Sequence, residues 1–395
     1  MGIGPSPIRA ETNRKPRRST PLQRTFHHSF VPASANPVGG TLVSLTVSEI
    51  EDAGVREVLQ TPGAALASWA LFDKLLEPTG AGTPFVFREP LGQAREVKVA
   101  LSGLFGRFVA RAYLERYFGL DIFAHLGQRN ILLDGTRDIV VERRLRGDLP
   151  DWVACSSSLA NVTVAEAKGC HDRPGPAKAL ARAWAQTGRV RITCRALPVT
   201  VKRVAIATRW GSARGGSADP MISVQDPEEP GEAISPEDQR ALLVGLLRRH
   251  IASLLQSLGH GELSEALVSL VSGRQNVQPL TIAARQALDK AVISDAKVGD
   301  PDGSVDELVG GVVSRQGLIA NERLSGNDEE VLARLNLRPL FVGIERKLVR
   351  AAIDGEAESI RDATNQPRGQ REGARYGGAG GWVVHLGGQG RAREG

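Results

Sequence analysis

The chain has little of what marks several common protein classes. Only 5% of its 395 residues are aromatic, and its three cysteines, Cys155, Cys170 and Cys194, form no CxxC pair. This spacing argues against a zinc site, and the odd thiol favours a reduced, cytoplasmic setting. No run approaches the ~18 apolar residues that a membrane-spanning helix needs, and the first residues lack the apolar segment of a secretory signal. We therefore expect no membrane partner.

Two kinds of catalytic motif are also missing. No G-x-x-x-x-G-K-[ST] phosphate loop occurs, so any ATP-driven work would have to come from a partner. The cluster Ser156-Ser157-Ser158 lacks the G-x-S-x-G elbow of serine hydrolases. We interpret this cluster as a turn.

The composition otherwise describes an ordinary globular protein with a mild excess of positive charge. Hydrophobic residues make up 41% and charged residues 24% of the chain, and the net charge is +6. A length of 395 residues allows more than one core, so two domains are expected. The basic balance permits a polyanionic partner such as DNA but does not require one.

Composition shifts divide the chain into four parts. Residues 1–38 are rich in Pro, Ser, Thr and Arg and are predicted to be a disordered basic tail. Residues 39–212 predict an α/β domain, and residues 232–360 predict a mostly helical domain. Residues 366–395 contain ten glycines and five arginines and are predicted to be a disordered Gly/Arg-rich tail.

Hydrophobic periodicity predicts the individual elements of the two domains. In the first domain we expect strands at 41–47, 130–134, 138–142 and 199–207, and helices at 48–59, 64–76, 97–118 and 178–187. In the second we expect a helix from 236 to about 258, begun by Ser235-Pro236, and further helices at 262–272, 280–294, 327–336 and 339–354.

The most informative stretch is a pair of short apolar runs on either side of a polar turn. The first run begins at Asp151, and the second contains Glu166 and Lys168. Side chains alternate along a strand, so Glu166 and Lys168 point to the same face, ~7 Å apart. If the runs pair antiparallel, Asp151 lies beside Glu166. The pattern then brings two acids and one amine together at one end of a sheet.

This trio suits metal-assisted phosphate chemistry. Two carboxylates can hold a hard divalent cation such as Mg²⁺. The cation neutralises phosphate charge and makes a bound water more nucleophilic. A nearby ammonium group can stabilise the charge that develops in the transition state.

The order Pro150-Asp151, spacer, Glu166-x-Lys168 on a hydrophobic strand resembles the PD-(D/E)xK nuclease superfamily, which has the restriction-endonuclease-like fold. The resemblance covers roughly residues 97–210. It implies an αβββαβ core with a mixed sheet, and DNA as the substrate. It also implies that Asp151 and Glu166 bind Mg²⁺ or Mn²⁺, with the carbonyl of Ala167 as a further ligand, and that Lys168 is catalytic. Several branches of the superfamily place a Gln on the following helix near the metal-bound water or the phosphate, a position that corresponds to Gln186.

One feature departs from the superfamily pattern. An acid on the first core helix usually follows a glycine, but here Gly106 is followed by Arg107, and the nearest acid on that helix is Glu115. A third acidic ligand, and with it the number of metal ions, therefore stays open. Other acids near the motif are alternatives: Asp134, Asp138, Glu142 and Asp148.

The leading prediction is a metal-dependent DNA nuclease acting in restriction, defence or repair. The alternatives are a non-catalytic module on the same core that binds nucleic acid or protein, and a regulatory protein whose acids and lysine form a surface ion pair. The second domain would bind substrate, a protein partner or a second copy of the chain, which makes a homodimer possible.

Overall fold

The computed structural model describes residues 23–30, 42–61, 76–78, 85–87, 95–127, 130–158, 162–171, 176–212, 221–226, 228–229, 234–272, 277–292, 307–314, 317–321, 339–365, 374–376 and 381–385. The described part of the chain is a mixed α/β protein, as predicted. The predicted helix at 327–336 and nearly all of the one at 64–76 lie outside the described residues, as do residues 1–22 of the predicted basic tail.

Eight helices occur in the described residues. They are Val47–Gln60 (α1), Arg95–Phe118 (α2), Ala177–Thr187 (α3), Pro236–Ser257 (α4), Gly261–Ser272 (α5), Val277–Ala291 (α6), Arg346–Asp354 (α7) and Ala357–Asn365 (α8).

In the described residues, four sheets are built from twenty strands. They are Gln23–Phe30 (β1), Leu42–Thr46 (β2), Leu76–Pro78 (β3), Phe85–Phe87 (β4), Ile122–His125 (β5), Ile131–Asp134 (β6), Ile139–Arg143 (β7), Trp152–Cys155 (β8), Thr163–Cys170 (β9), Val190–Cys194 (β10), Leu197–Pro198 (β11), Val201–Arg209 (β12), Gly211–Ser212 (β13), Met221–Gln225 (β14), Glu228–Glu229 (β15), Leu308–Ser314 (β16), Gly317–Ala320 (β17), Leu340–Glu345 (β18), Ala374–Tyr376 (β19) and Trp382–His385 (β20).

The main sheet has the strand order β2-β1-β14-β12-β9-β8-β5, and β15 pairs with β12 at one end. Strands β5, β8 and β9 form an antiparallel meander, whereas β9 and β12 are parallel and are connected through α3. Strand β8 and the first five residues of β9 are buried on both faces, as expected inside a sheet that is covered by helices.

Helix α2 crosses strand β9 at an unusually short distance. A Cβ on Gly106 would lie 2.8 Å from the backbone N of Gly169, and a Cβ on Gly169 would overlap the carbonyl oxygen of Ser102. Glycine at both positions allows the two backbones to touch. The helix ends at Phe118, and Gly119 adopts φ +65°, which is the left-handed conformation of a helix C-cap.

Strands β6, β7, β10 and β11 form a separate four-stranded sheet in the order β11-β10-β7-β6. The predicted strands at 130–134 and 138–142 are therefore present, but they lie outside the main sheet. The first strand of the meander is instead β5, a four-residue strand that was too short to be predicted from its pattern. The hairpin β6–β7 is inserted between β5 and β8.

The second half of the chain differs from the prediction of a mostly helical domain. Helix α4 begins as predicted, with the Ser235 hydroxyl accepting a hydrogen bond from the backbone N–H of Asp238. A five-stranded sheet, β17-β16-β18-β20-β19, also occurs here. Residues 340–345 form strand β18, so the prediction of one helix over 339–354 was wrong in its first half. All six residues of β18 are buried, and periodicity cannot distinguish such a short apolar run from a buried helix turn.

Three more segments differ from the prediction. Residues 374–376 and 382–385, within the predicted disordered Gly/Arg-rich tail 366–395, form strands β19 and β20 of the five-stranded sheet. Residues 23–30, assigned to the disordered tail, form strand β1 between β2 and β14. Strand β14 itself lies between the two predicted domains, in a stretch for which we predicted no strand. The apolar core also continues across this stretch, because residues of α4 and of the main sheet belong to one buried cluster.

Candidate active site

Strands β8 and β9 bring the predicted acids together. Trp152 pairs with Ala165 and Val153 with Val164 in an antiparallel register. Asp151, immediately before β8, therefore lies across from Glu166 near the end of the β8–β9 pairing. The antiparallel pairing predicted from the sequence is present.

Each of the two carboxylates accepts a hydrogen bond from a backbone N–H group at or beside the other acid. The Asp151 N–H donates a hydrogen bond to Glu166 Oε2 (2.9 Å), and the Ala167 N–H donates to Asp151 Oδ2 (2.9 Å). The Lys168 ammonium donates to Glu166 Oε1. Asp151, Glu166 and Lys168, which we call the acid–lysine site, are thus in direct contact.

Burial within the acid–lysine site is graded. The Glu166 side chain is completely buried, whereas Asp151 is 19% and Lys168 35% exposed. The site therefore has a dry floor at Glu166 and opens to solvent beside Asp151 and Lys168.

The electrostatics of the two carboxyl groups are unfavourable in the isolated protein. Burial raises the pKa of Glu166 well above its ordinary value, and Asp151 raises it further, while Lys168 acts in the opposite direction. Burial also raises the pKa of Asp151, against the lowering effects of Arg107 and the Ala167 N–H. A divalent cation would favour ionisation of both groups, because an adjacent positive charge stabilises carboxylates.

A second buried carboxylate, that of Glu57 on α1, lies on the other side of Arg107. The Arg107 Nη1 atom is 3.4 Å from Glu57 Oε1 and 3.9 Å from Asp151 Oδ1. Arg107 therefore bridges Glu57 and the acid–lysine site.

The partners of Glu57 make it the centre of a buried polar cluster. Its Oε2 atom is 3.3 Å from Arg111 Nη1 and 3.1 Å from His125 Nε2, and it accepts a hydrogen bond from Trp152 Nε1 (3.1 Å). Burial alone would raise the pKa of Glu57, but His125, Arg107 and Arg111 hold it far below its ordinary value. Glu57 is thus a fixed anion linked to both neighbours of the site, Arg107 and Trp152.

We did not predict Glu57, Arg107 or His125 from the sequence as parts of the site. A signal for Glu57 exists, because it follows Ile50 by seven residues and Ala53 by four, on the buried face of α1. A carboxylate on such a face requires a buried partner. Nothing in the local sequence names that partner.

The other predicted site residues, Gln186 and Ala167, lie at the edge of the acid–lysine site. The buried Gln186 amide donates a hydrogen bond to the Leu149 carbonyl, two residues before Asp151. Gln186 therefore fixes the segment that leads into Asp151. Since N–H and C=O groups of a strand residue face the same edge, the Ala167 carbonyl faces the edge on which its N–H meets Asp151.

The alternative acids have other contacts. Glu115 pairs with Arg56 (2.6 Å) and Arg111 (3.0 Å), and Glu142 pairs with Arg191 (2.9 Å). Asp134 accepts hydrogen bonds from the backbone N–H groups of the β6–β7 turn. Asp138 adopts φ +49° in that turn, and Asp148 is exposed.

Among the described residues, no group of three or more His, Cys, Asp or Glu side chains gathers as metal ligands. Asp151 and Glu166 are therefore a two-carboxylate set in the described part of the chain. Within the same residues, no helix is both long enough and apolar enough to cross a membrane.

Comparison with protein-family models, with curated proteins and with solved structures finds no match to this chain. The function must therefore be argued from the site itself.

Proposed function

We propose that the protein is a metal-dependent nuclease that hydrolyses phosphodiester bonds of DNA. The observation that carries the proposal is the acid–lysine site, in which Asp151, Glu166 and Lys168 are in contact at the solvent-facing end of two paired strands. Restriction, defence and repair are the roles that the sequence resemblance implies.

The order of elements around the site supports the proposal. Helix α2, strands β5, β8 and β9, helix α3 and strand β12 follow one another along the chain, and β9 is parallel to β12. This succession fits an αβββαβ core of the restriction-endonuclease-like kind, with the β6–β7 and β10–β11 hairpins as insertions.

The donor set fits a hard divalent cation. Carboxylate and carbonyl oxygens are the ligands that Mg²⁺ and Mn²⁺ prefer. Asp151 and Glu166 would hold the ion, with the Ala167 carbonyl as a further ligand. When bound, such an ion activates water and neutralises phosphate charge.

The protein's own residues would orient the substrate and stabilise charge. Lys168 is partly exposed beside the acids, where its ammonium can bind a phosphate oxygen and offset the negative charge that increases during water attack. Arg107 holds Asp151 from the side of α2, and Gln186 holds the backbone before Asp151. These contacts would keep the reacting groups in place.

The proposal is tested by Lys168→Ala. Removing one group that stabilises the transition state costs about 10²–10³-fold in rate, so cleavage of a supercoiled plasmid with Mg²⁺ or Mn²⁺ should fall by that factor. Lys290→Ala is the matched control, because Lys290 is an exposed lysine whose ammonium lies 3.7 Å from a Glu262 carboxylate oxygen. Both variants should keep the unfolding temperature of the wild type within a few degrees. Cleavage at the wild-type rate by folded Lys168→Ala protein would contradict the proposal.

One observation favours a non-catalytic module as the second candidate. The charges of the site are already matched within the chain, Lys168 by Glu166 and Arg107 by Glu57. A binding module of this kind would keep its salt-dependent affinity for DNA in Asp151→Ala. It would not cleave DNA, whichever metal ion is added. A homodimer or a protein partner through the second half of the chain also stays a prediction, which sedimentation of the purified protein would test.

A further inference from the structure

Residues 143–148, which we call the arginine loop, begin at the last residue of β7 and lead to the segment that carries Asp151. The loop has the sequence Arg-Arg-Leu-Arg-Gly-Asp, and all six residues are exposed. Three positive charges against one negative charge give it a formal net charge of +2. The loop is therefore a compact basic surface directly before the acid–lysine site.

The backbone of the arginine loop is fixed at both ends by one residue, Arg189. The Arg189 carbonyl accepts a hydrogen bond from the N–H of Arg144 (2.7 Å), and its guanidinium donates to the carbonyl of Asp148 (2.8 Å). Gly147 adopts φ +113°, and a Cβ there would lie 2.8 Å from Arg189 Cζ. Only glycine readily allows this close return of the chain. The loop thus presents its side chains from a fixed frame.

The side chains on this frame are available for a ligand. Within the part of the chain that the structure describes, the guanidinium groups of Arg143 and Arg146 form no ion pair. Leu145 is 59% exposed between the arginines. A single exposed leucine is common on protein surfaces. Leu145 is informative because it lies within a basic loop whose backbone is held by hydrogen bonds.

Distance along the chain limits where a ligand of the loop can lie. Five residues separate Arg146 from Asp151, so the two can be at most about 17 Å apart along an extended chain. One strand of duplex DNA carries a phosphate every ~3.4 Å of helix axis. Arg146 can therefore bind phosphates up to about five nucleotides from a phosphate at the acid–lysine site.

We propose that the arginine loop is a DNA-anchoring element of this protein. Arg143 and Arg146 bind backbone phosphates beside the scissile one, and Leu145 packs against a sugar or base of the same strand. This inference rests on the proposed nuclease function, because the loop serves to hold DNA across Asp151. Arginines on phosphates supply affinity without sequence preference, and an apolar side chain between them adds a contact that is not ionic.

The test uses Lys168→Ala protein, so that binding is measured without cleavage, and a fluorescein-labelled 30-base-pair duplex. Fluorescence anisotropy is recorded over a series of KCl concentrations. Arg143→Ala with Arg146→Ala should weaken binding by about 10–100-fold at 0.1 M salt and reduce the slope of log K against log[salt] by about 2, since each phosphate contact contributes ~0.9. Leu145→Ser should weaken binding about tenfold with an unchanged slope, because its contact releases no counterion.

The matched control is Arg240→Ala with Arg350→Ala, which removes the same charge from exposed positions on α4 and α7. If the loop variant and this control have the same affinity and the same salt slope, the proposal is overturned. An acidic protein surface would then be the partner of the loop. Cleavage by the wild type, together with unchanged binding by the loop variant, rejects the loop proposal alone. Loop-dependent binding without cleavage in Mg²⁺ or Mn²⁺ rejects the nuclease function and supports the loop as a DNA contact.

Discussion

Glu57 shows how strongly a single buried charge depends on its surroundings. Its carboxylate is completely buried against Arg107, Arg111 and His125. Glu57→Gln would leave the fully buried Arg111 with less compensating charge, so we expect a loss of about 3–5 kcal/mol in the free energy of unfolding. Urea unfolding at pH 7 measures this loss.

Glu142→Gln is the control for that experiment. Glu142 pairs with Arg191 at the surface, and pairs of this type contribute at most about 1 kcal/mol. Equal losses in the two variants would show that the Glu57 cluster has no special role. The pKa of Glu57 is lower in the folded state than in the unfolded chain. This carboxylate therefore stabilises the fold above the unfolded-state pKa, and the stabilisation is lost as the pH falls from there towards the folded-state pKa.

Asp121 shows the opposite effect of burial. Burial raises its pKa from 3.8 to about 6, although a hydrogen bond from the Ser157 N–H (2.9 Å) acts in the opposite direction. The folded protein therefore binds the proton more tightly than the unfolded chain, and this group destabilises the fold increasingly as the pH rises through that window.

Asp121→Asn should remove this effect, because the amide oxygen can still accept the Ser157 hydrogen bond and carries no charge. We expect the variant to be more stable than the wild type at pH 7 by about 3 kcal/mol. The difference should disappear below pH ~4, where the wild-type carboxyl is protonated in both states. Urea unfolding across this pH range checks the sign, and a variant that is less stable at pH 7 would refute it.

At this scale, local spacing predicted which residues meet, but only along the strands. Glu166 and Lys168 share a strand face because they are two residues apart, and the adjacent run places Asp151 opposite. Glu57 is 94 residues from Asp151 and reaches it through Arg107 of another helix. No local pattern specifies how two helices meet, so this part of the site could not be predicted.

Among the elements, the crossing of α2 over β9 is the contact on which the site geometry depends most directly. Gly169 follows Lys168, and a Cβ at this position would overlap the Ser102 carbonyl oxygen of α2. Gly169→Ala must therefore push the helix away from the strand. Overpacking of this kind costs about 1–3 kcal/mol or more, and we expect it to reduce the proposed DNA cleavage as well by displacing Lys168.

Gly103 provides a control directly after Ser102, at a position whose own side-chain direction is open. A Cβ there meets nothing within 4 Å, and alanine is favoured over glycine inside a helix by about 0.5–1 kcal/mol. Gly103→Ala should therefore stabilise the protein, while Gly169→Ala destabilises it. Thermal unfolding of both variants measures the difference, and a stabilising Gly169→Ala would contradict the described crossing.

The elements that were predicted well have either a long periodic run of apolar residues or clear capping residues at their ends. Helix α2 has a long apolar face and a glycine cap, and α4 begins at Ser235-Pro236. Strands β5 and β18 are buried runs of four and six residues, which carry too little periodicity to be assigned alone. Their identity is set by the strands beside them, which lie far away in the sequence.

For the molecule as a whole, the proposed binding of a metal ion at the acid–lysine site predicts that stability depends on metal concentration. A ligand that binds only the folded state stabilises it by about 2.7 kcal/mol at 100 times its dissociation constant. Mg²⁺ or Mn²⁺ should therefore raise the unfolding temperature of the wild type in a concentration-dependent manner.

Asp151→Asn should separate the stability of the metal-free protein from its stabilisation by metal. Without metal, the variant should unfold at a higher temperature than the wild type, because the Asp151 and Glu166 carboxyls no longer compete for ionisation in a buried site. With metal, it should show no further increase, whereas the control Glu142→Gln should respond as the wild type does. A full metal response in Asp151→Asn would place the ion elsewhere.

Strand β1 has a consequence for the synthesis of the protein. Phe30 pairs with Val224, which lies 194 residues later in the chain. At typical translation rates, about 10–40 s pass on the ribosome before that partner has been made. Until then β1 has only the neighbouring β2, and an isolated two-stranded hairpin is barely stable in water. The edge of β1 that later pairs with β14 therefore stays without its partner throughout this delay. The main sheet is completed only after more than half of the polypeptide has been translated.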